Sequence, residues 1–292
     1  MTRKNLYADI TARIVAQLKA GTIPWRQPWS DKGGTVMPRN FASKRPYSGV
    51  NILLLWAEAH EKGYDDAQWL TYNQAQQAGG QVRKGEKGTH ITFITFIEKE
   101  KEGKLERIPF LKGYTVFNVA QVDGLKLDKG ETINPDERKE LAEAFIKQTG
   151  AEIEHGGVKA FYQQDNLTGR NFIRLPEFGK FESAETYYET AFHELTHWTG
   201  HKDRLNRIFG KAFGDATYSA EELVAELGSA FLMAEFGFDG QGTDASYIAH
   251  WCKFLEDHEH AIVTASSMAS KAVQFLHKNV EIEDIKELEV AA

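Results

Sequence analysis

Two histidines and a glutamate stand in the order His193-Glu194-Leu195-Thr196-His197. On a helix, residues four apart lie one turn from each other on a single face, so both imidazoles can reach one ion. Glu194 then sits beside the coordination position left open. A divalent ion such as zinc acidifies water at that position and leaves a nearby carboxylate to take the proton, which is the chemistry of metal-assisted hydrolysis. The spacing predicts a metal centre for zinc or another divalent metal, with His193 and His197 as ligands and Glu194 as general base.

Such a centre needs a third protein ligand. The segment YSAEELVAELGSAF places Glu222 and Glu226 one turn apart on a later helix, and HELTHWTGHKD offers Asp203 or His201 after a turn at Gly200. Glu222 ranks first, because a carboxylate from a second helix completes the geometry and Glu226 can then orient a ligand histidine from behind. Glu226 and Asp203 stand as alternative ligands. Ser219 with Glu222 also spells a capping box, a competing job for the same side chain. Tyr187, Tyr188 and Tyr218 are close enough in sequence to steady an oxyanion or simply to pack. The strand NFIRLP ahead of the histidine helix could offer its edge to an extended peptide.

A second set of residues suits a polyanion. Trp25, Arg26, Trp29, Arg39, Phe41, Lys44, Arg45 and Tyr47 interleave rings with cations in a proline-rich stretch, and Arg83, Lys84 and Lys87 sit in the glycine-rich run GQVRKGEKG. Cations neutralise phosphates and exposed rings stack on unpaired bases without demanding a sequence, a pairing that favours single-stranded nucleic acid. The same composition also fits rings folded onto a core beneath solvated charge.

The elements that must position these residues are legible in outline. Helices are predicted over 5–20, over 50–61 and from Thr71 to Gly79, where Thr71 and Gln74 form a capping box. A strand pair flanks the charged loop EKEKEGKLER. Asn134 and Pro135 start a helix that runs to Gln148, three short strands follow (AEIE, VKAFYQ, NFIRLP), and helices are predicted over 184–199, 220–236, 244–261 and 264–278. The fold class expected is α+β in two domains: residues 1–125, a linker over 126–134, and a mostly helical domain with a small sheet over 135–292.

Composition agrees with that division. Residues 1–125 carry 18 Lys and Arg against 12 Asp and Glu, whereas the remainder carries 17 against 30. Opposite imbalances imply different partners, the basic part facing a polyanion. The longest purely apolar run, Ile52 to Ala57, is far short of a membrane span, and the first residues lack the apolar core of a signal peptide. A cytoplasmic protein without a membrane partner is expected. The single cysteine, Cys252, excludes an intrachain disulfide and leaves any metal to histidines and carboxylates.

Taken in order, PWRQPW, RPYSGVNILLLW, WLTYNQAQQAGGQVRKGEKG, YTVFNVAQVDGL, FHELTHWTGHKDRLNR and EELVAELGSAFL resemble the ArdC-type antirestriction proteins of conjugative plasmids. The resemblance spans nearly the whole chain. It implies an N-terminal domain that binds single-stranded DNA, akin to the N-terminal region of TraC-type primases, and a C-terminal zincin-like metallopeptidase domain. It further implies protection of an incoming plasmid from host restriction during conjugation. By position, His193 and His197 correspond to that family's metal-binding histidines, Glu194 to its catalytic glutamate, and EELVAEL to the source of the third ligand. A host protein is then the expected peptidase substrate. The rival reading is a DNA-coating factor whose metal site is structural or vestigial.

Overall fold

The computed structural model describes residues 6–25, 37–101, 104–127, 134–165, 169–210, 216–240 and 245–279. They fall into two compact units, residues 37–128 and residues 1–36 together with 129–292. Helix α1 (Leu6–Lys19) comes first in the chain, and the smaller unit follows it.

That smaller unit contains strand β1 (Arg39–Asn40), helix α2 (Val50–Lys62), strand β2 (Gln68–Thr71), helix α3 (Tyr72–Gln77), strands β3 (Gln81–Val82), β4 (Thr89–Lys101), β5 (Lys104–Asn118) and β6 (Val122–Asp123). One sheet runs in the order β1-β2-β5-β4, with β1 parallel to β2 and the other pairs antiparallel, while β3 and β6 form a separate antiparallel pair. Helix α2 is apolar over most of its length and ends at Gly63, whose φ of 65° suits a residue without a Cβ. Its Asn51 side chain donates to Thr92 O (2.7 Å) and accepts from Thr92 N (2.9 Å), tying the helix to β4. The capping box expected at Thr71 forms: Gln74 N donates to Thr71 Oγ1, and Thr71 N donates to Gln74 Oε1. Leu70, Ala75, Val82, Val119 and Val122 make a small core beneath α3.

The larger unit continues with α4 (Pro135–Gln148), strands β7 (Ile153–His155), β8 (Phe161–Gln164) and β9 (Asn171–Leu175), and helices α5 (Ala184–Thr199), α6 (Ala216–Phe236), α7 (Ala245–Asp257) and α8 (Ala261–Asn279). Asn134 caps α4 as its position before Pro135 predicted. The fold is α+β, an N-terminal part with sheets and a C-terminal part mostly helical with one small sheet. Phe145, Phe192, Phe236 and Phe238 centre the main core, where α4, α5, α6 and α8 meet the small sheet.

Three arrangements depart from the expectations. The small sheet has the order β7-β9-β8, so β9, the NFIRLP strand, is paired on both sides and offers no edge to a peptide. Helix α6 starts at Ala216, which leaves Ser219 buried inside the helix rather than capping it. Helix α1 belongs to the larger unit although it precedes the smaller one. Its stripe of Ile10, Ile14 and Leu18 is buried, it packs on α7, and Thr11 Oγ1 donates to Glu259 O at 2.7 Å. The expected division at 125 therefore differs from the compact units over residues 1–36. Among the described residues, no helix is long and apolar enough to cross a membrane.

Candidate metal centre

Ser183 starts α5 by accepting from Thr186 N, and after sixteen helical residues the chain leaves the helix at Gly200. Ala191, Phe192 and Leu195 take the core face of α5 and are completely buried. His193 and His197 project from another face, one turn apart. Helix α6 crosses that face closely because residue 228 is glycine. A Cβ there would lie 2.5 Å from Thr196 Oγ1 and 2.6 Å from its Cγ2, inside any tolerable contact. Ser229 Oγ donates to Glu189 O (2.7 Å) and fixes the same approach. The N-terminal turns of α6 are thereby laid opposite the two histidines.

Three side chains converge: His193, His197 and Glu222. His193 Nε2 lies 3.1 Å from His197 Nε2, and the Glu222 oxygens lie 3.5 Å from the first nitrogen and 3.4 Å from the second. Ligands about 2.1 Å from one ion at tetrahedral angles stand about 3.4 Å apart, so the donor spacing fits a divalent metal. Burial works against the charge on Glu222, yet hydrogen bonds to His193 and His197 hold its carboxyl far below the usual carboxylate range. Burial likewise opposes an imidazolium at His197, but Glu221 and Glu222 outweigh it and push the group up to about 10. A divalent cation competes for the same lone pairs.

Glu221 was not singled out from the sequence. Its Oε1 is 3.1 Å from His197 Nδ1, the nitrogen turned away from His193 and Glu222. Arg207 grips this carboxylate with two donors, Nη2 to Oε1 (2.8 Å) and Nε to Oε2 (2.9 Å), and also donates to Thr199 Oγ1 and Thr196 O. Both side chains are about 95% buried. A carboxylate on the back nitrogen fixes the tautomer and plane of a ligand imidazole. Only the adjacent acidic pair in EELVAE hinted at it, and nothing in sequence linked Arg207, ten positions beyond His197, to that pair.

The other candidates are placed as follows. Glu194 is buried beside the cluster, 7% exposed. Tyr218 is half-buried and hydrogen-bonded to Glu222; burial, Glu222 and Glu194 all raise its phenol. Glu226 lies 4.0 Å from His193 Nδ1, beyond hydrogen-bond reach, and accepts from the Tyr247 hydroxyl at 2.8 Å. Asp203 is not brought to the cluster: its side chain is 74% exposed and near His201, whose Nδ1 accepts from Asp203 N. Tyr187 meets His155 Nε2 at 3.0 Å and Tyr188 donates to Glu143, so both serve packing away from the cluster.

Of the residues expected to meet nucleic acid, Trp25 is 2% exposed, with Nε1 donating to Tyr247, and Tyr47 is 8% exposed and bonded to Asn40. Neither ring has an open face for a base, because each fills a packing position instead. Arg26 and Trp29 lie outside the described residues. Arg39 is half-buried on β1, Arg45 is exposed, and Lys44, at φ 58°, stands over the Phe41 ring at 5.1 Å. Arg83, Lys84 and Lys87 are exposed in the turn after β3, with Arg83 bound to Glu86, Asp123 and Ala120 O.

Comparison with known proteins agrees with both halves of this description. Residues 4–117 match the N-terminal domain of anti-restriction factor ArdC, and residues 140–268 match a zincin-like metallopeptidase domain. The uncharacterized protein y4eC of Sinorhizobium fredii (strain NBRC 101917 / NGR234) is 37% identical over 94% of this chain and 92% of its own. A DNA primase TraC of Escherichia coli is 38% identical, but this chain spans only 27% of that protein. The metal-free crystal structure of ArdC from plasmid R388 superposes with a TM-score of 0.76 at 41% identity, covering 94% of this chain and 98% of that one. Its Mn(II)-bound structure gives 0.76 at 40% identity, with 96% and 99% covered. The chain belongs to the ArdC antirestriction protein family.

Proposed function

We propose that this protein binds single-stranded DNA with little sequence preference, protects entering plasmid DNA from host restriction during conjugation, and hydrolyses a peptide bond of a host protein in the cytoplasm. The observation that carries the hydrolytic part is the convergence of His193, His197 and Glu222 from two helices, with Glu194 buried alongside. The DNA part rests on the match to the ArdC N-terminal domain and on the exposed cations Arg45, Lys84 and Lys87.

The chain's residues divide the work. His193, His197 and Glu222 would hold zinc, manganese or another divalent ion, which when bound supplies Lewis-acid polarisation of a carbonyl and acidification of water. Glu221 and Arg207 keep the His197 ring in one plane. Glu194 accepts the proton of the attacking water and returns it to the leaving amine. Tyr218, raised by burial and by the neighbouring carboxylates, keeps its O–H and donates to the developing oxyanion.

In the rival reading the metal site is structural or vestigial and protection comes from occupancy of the strand. The R388 relative is solved both without metal and with Mn(II), which counts against an ion required for folding. Glu194→Gln decides between the readings. Our account expects metal affinity near wild type, hydrolysis of a susceptible protein reduced about 100-fold or more, and protection from restriction impaired with DNA binding intact. Unchanged hydrolysis contradicts it, and protection at wild-type level assigns that role to coating alone.

A further inference from the structure

With Trp25 and Tyr47 buried, base stacking must use other rings. Within the smaller unit a groove of about 530 Å³ is lined by Tyr72, Phe117, Arg83, Lys84, Glu86 and Asp123, among others. Tyr72 is the first residue of α3 and 43% exposed, a costly position for so large a ring unless something covers it. It is not loose. Phe117 of β5 meets it edge-to-face at 6.4 Å, and Gln81 Nε2 donates to its hydroxyl at 3.2 Å. The ring is fixed in orientation while a large part of it stays open.

The charges around the groove are sorted. Arg83 is spent internally: it binds Glu86, Asp123 and Ala120 O and holds the turn that contains Gly85, at φ 91°. Glu86 is further engaged by Gln121 Nε2. Among the described residues neither Lys84 nor Lys87 makes an ion pair. The lining sets two cations, Arg83 and Lys84, against two acids, Glu86 and Asp123. Both acids are engaged by Arg83, so Lys84 faces the groove uncompensated, and Lys87, exposed three residues further along the same turn, adds a second cation next to it.

We infer that Tyr72, backed by Phe117, is a stacking platform for an unpaired base of single-stranded DNA, with Lys84 and Lys87 neutralising the adjoining phosphates. A fixed aromatic face beside mobile cations recognises a strand by stacking and charge, without reading its sequence. This deepens the DNA-binding reading above and rests on it.

The test measures binding of the full-length protein to a fluorescent oligo(dT) strand and to an abasic strand of equal length, at several salt concentrations. Tyr72→Leu keeps bulk against Phe117 but removes the π-face, and it is expected to weaken oligo(dT) binding about ten-fold or more. Binding to the abasic strand should be unaffected, and Tyr72→Trp should recover oligo(dT) affinity. Lys84→Ala should lower the salt slope by about 0.7, the contribution of one single-strand phosphate, whereas Tyr72→Leu leaves the slope as it was. Wild-type affinity of Tyr72→Leu for oligo(dT), or equal losses on both strands, overturns the platform while leaving DNA binding intact. Failure of the wild-type protein to bind either strand overturns the DNA-binding reading itself.

Discussion

The metal centre and the groove beside Tyr72 use charge in opposite ways. At the centre, Glu221 and Arg207 are almost wholly buried and locked to each other, and the sites open to a cation are the converging atoms of His193, His197 and Glu222. At the groove Lys84 is exposed and makes no ion pair among the described residues, and the same holds for Lys87 further along the turn. Buried charge must be satisfied within the protein and is therefore held in one geometry. Exposed charge is solvated, mobile and cheap, and acts on a ligand whose phosphates recur along a chain. The first arrangement suits a single ion at fixed distances; the second suits a polymer without a fixed register.

Four changes would break or sharpen this contrast. The largest effect is expected at the back of the metal centre. Glu221→Gln or Arg207→Met should weaken metal binding about 10-fold to 100-fold by calorimetry, as loss of a carboxylate behind a ligand histidine does. The double variant should be little worse than either single one, since both remove the same contact; additive losses would show that Arg207 acts elsewhere. Next comes the helix crossing. Gly228→Ala forces a methyl against Thr196 and should cost about 1–3 kcal/mol in denaturant unfolding, with partial recovery on adding Thr196→Ser.

The third effect is a pH dependence. In the metal-free protein His197 is raised to about 10 from an unfolded value of 6.5, so its stabilisation is complete below pH 6.5 and lost as pH rises through 10. The Tm of metal-free protein should fall over that window, and His197→Phe should flatten the fall. The smallest effect belongs to the surface: Arg45→Ala should change stability by less than about 0.5 kcal/mol. A larger loss would mean that the exposed cations are structural and that the contrast fails.

How much of this was legible follows the same physics. His193, Glu194 and His197 are encoded by helical spacing alone, and the Thr71 and Asn134 caps by local hydrogen bonding, so short-range signals found them. Spacing ranks Glu222 first as third ligand but leaves Glu226 and Asp203 open; the crossing of α6 over α5 is what brings Glu222 to the two histidines. Glu221 escaped because its role depends on which way α6 rolls over α5, and that is set by the missing side chain at Gly228. Arg207 lies in irregular chain where no period exists to read. The β9 strand reads the same from its residues whether it is central or at an edge, since order within a sheet is a long-range matter. Trp25 was misplaced for a related reason: a tryptophan among prolines and arginines suits an exposed platform and a buried anchor equally until its partner, Tyr247, is known. Helix α1 shows the limit at the level of domains, for its apolar stripe says that it packs but not on which unit.

The central claim is that His193, His197 and Glu222 together hold one divalent ion. Calorimetric titration of the metal-free, full-length protein with Zn(II) and with Mn(II) tests it directly. The account predicts one site per chain, with binding weakened more than about 100-fold in both His193→Ala and Glu222→Ala and retained in Asp203→Ala. Wild-type stoichiometry and affinity in Glu222→Ala, or loss of binding in Asp203→Ala, would contradict it.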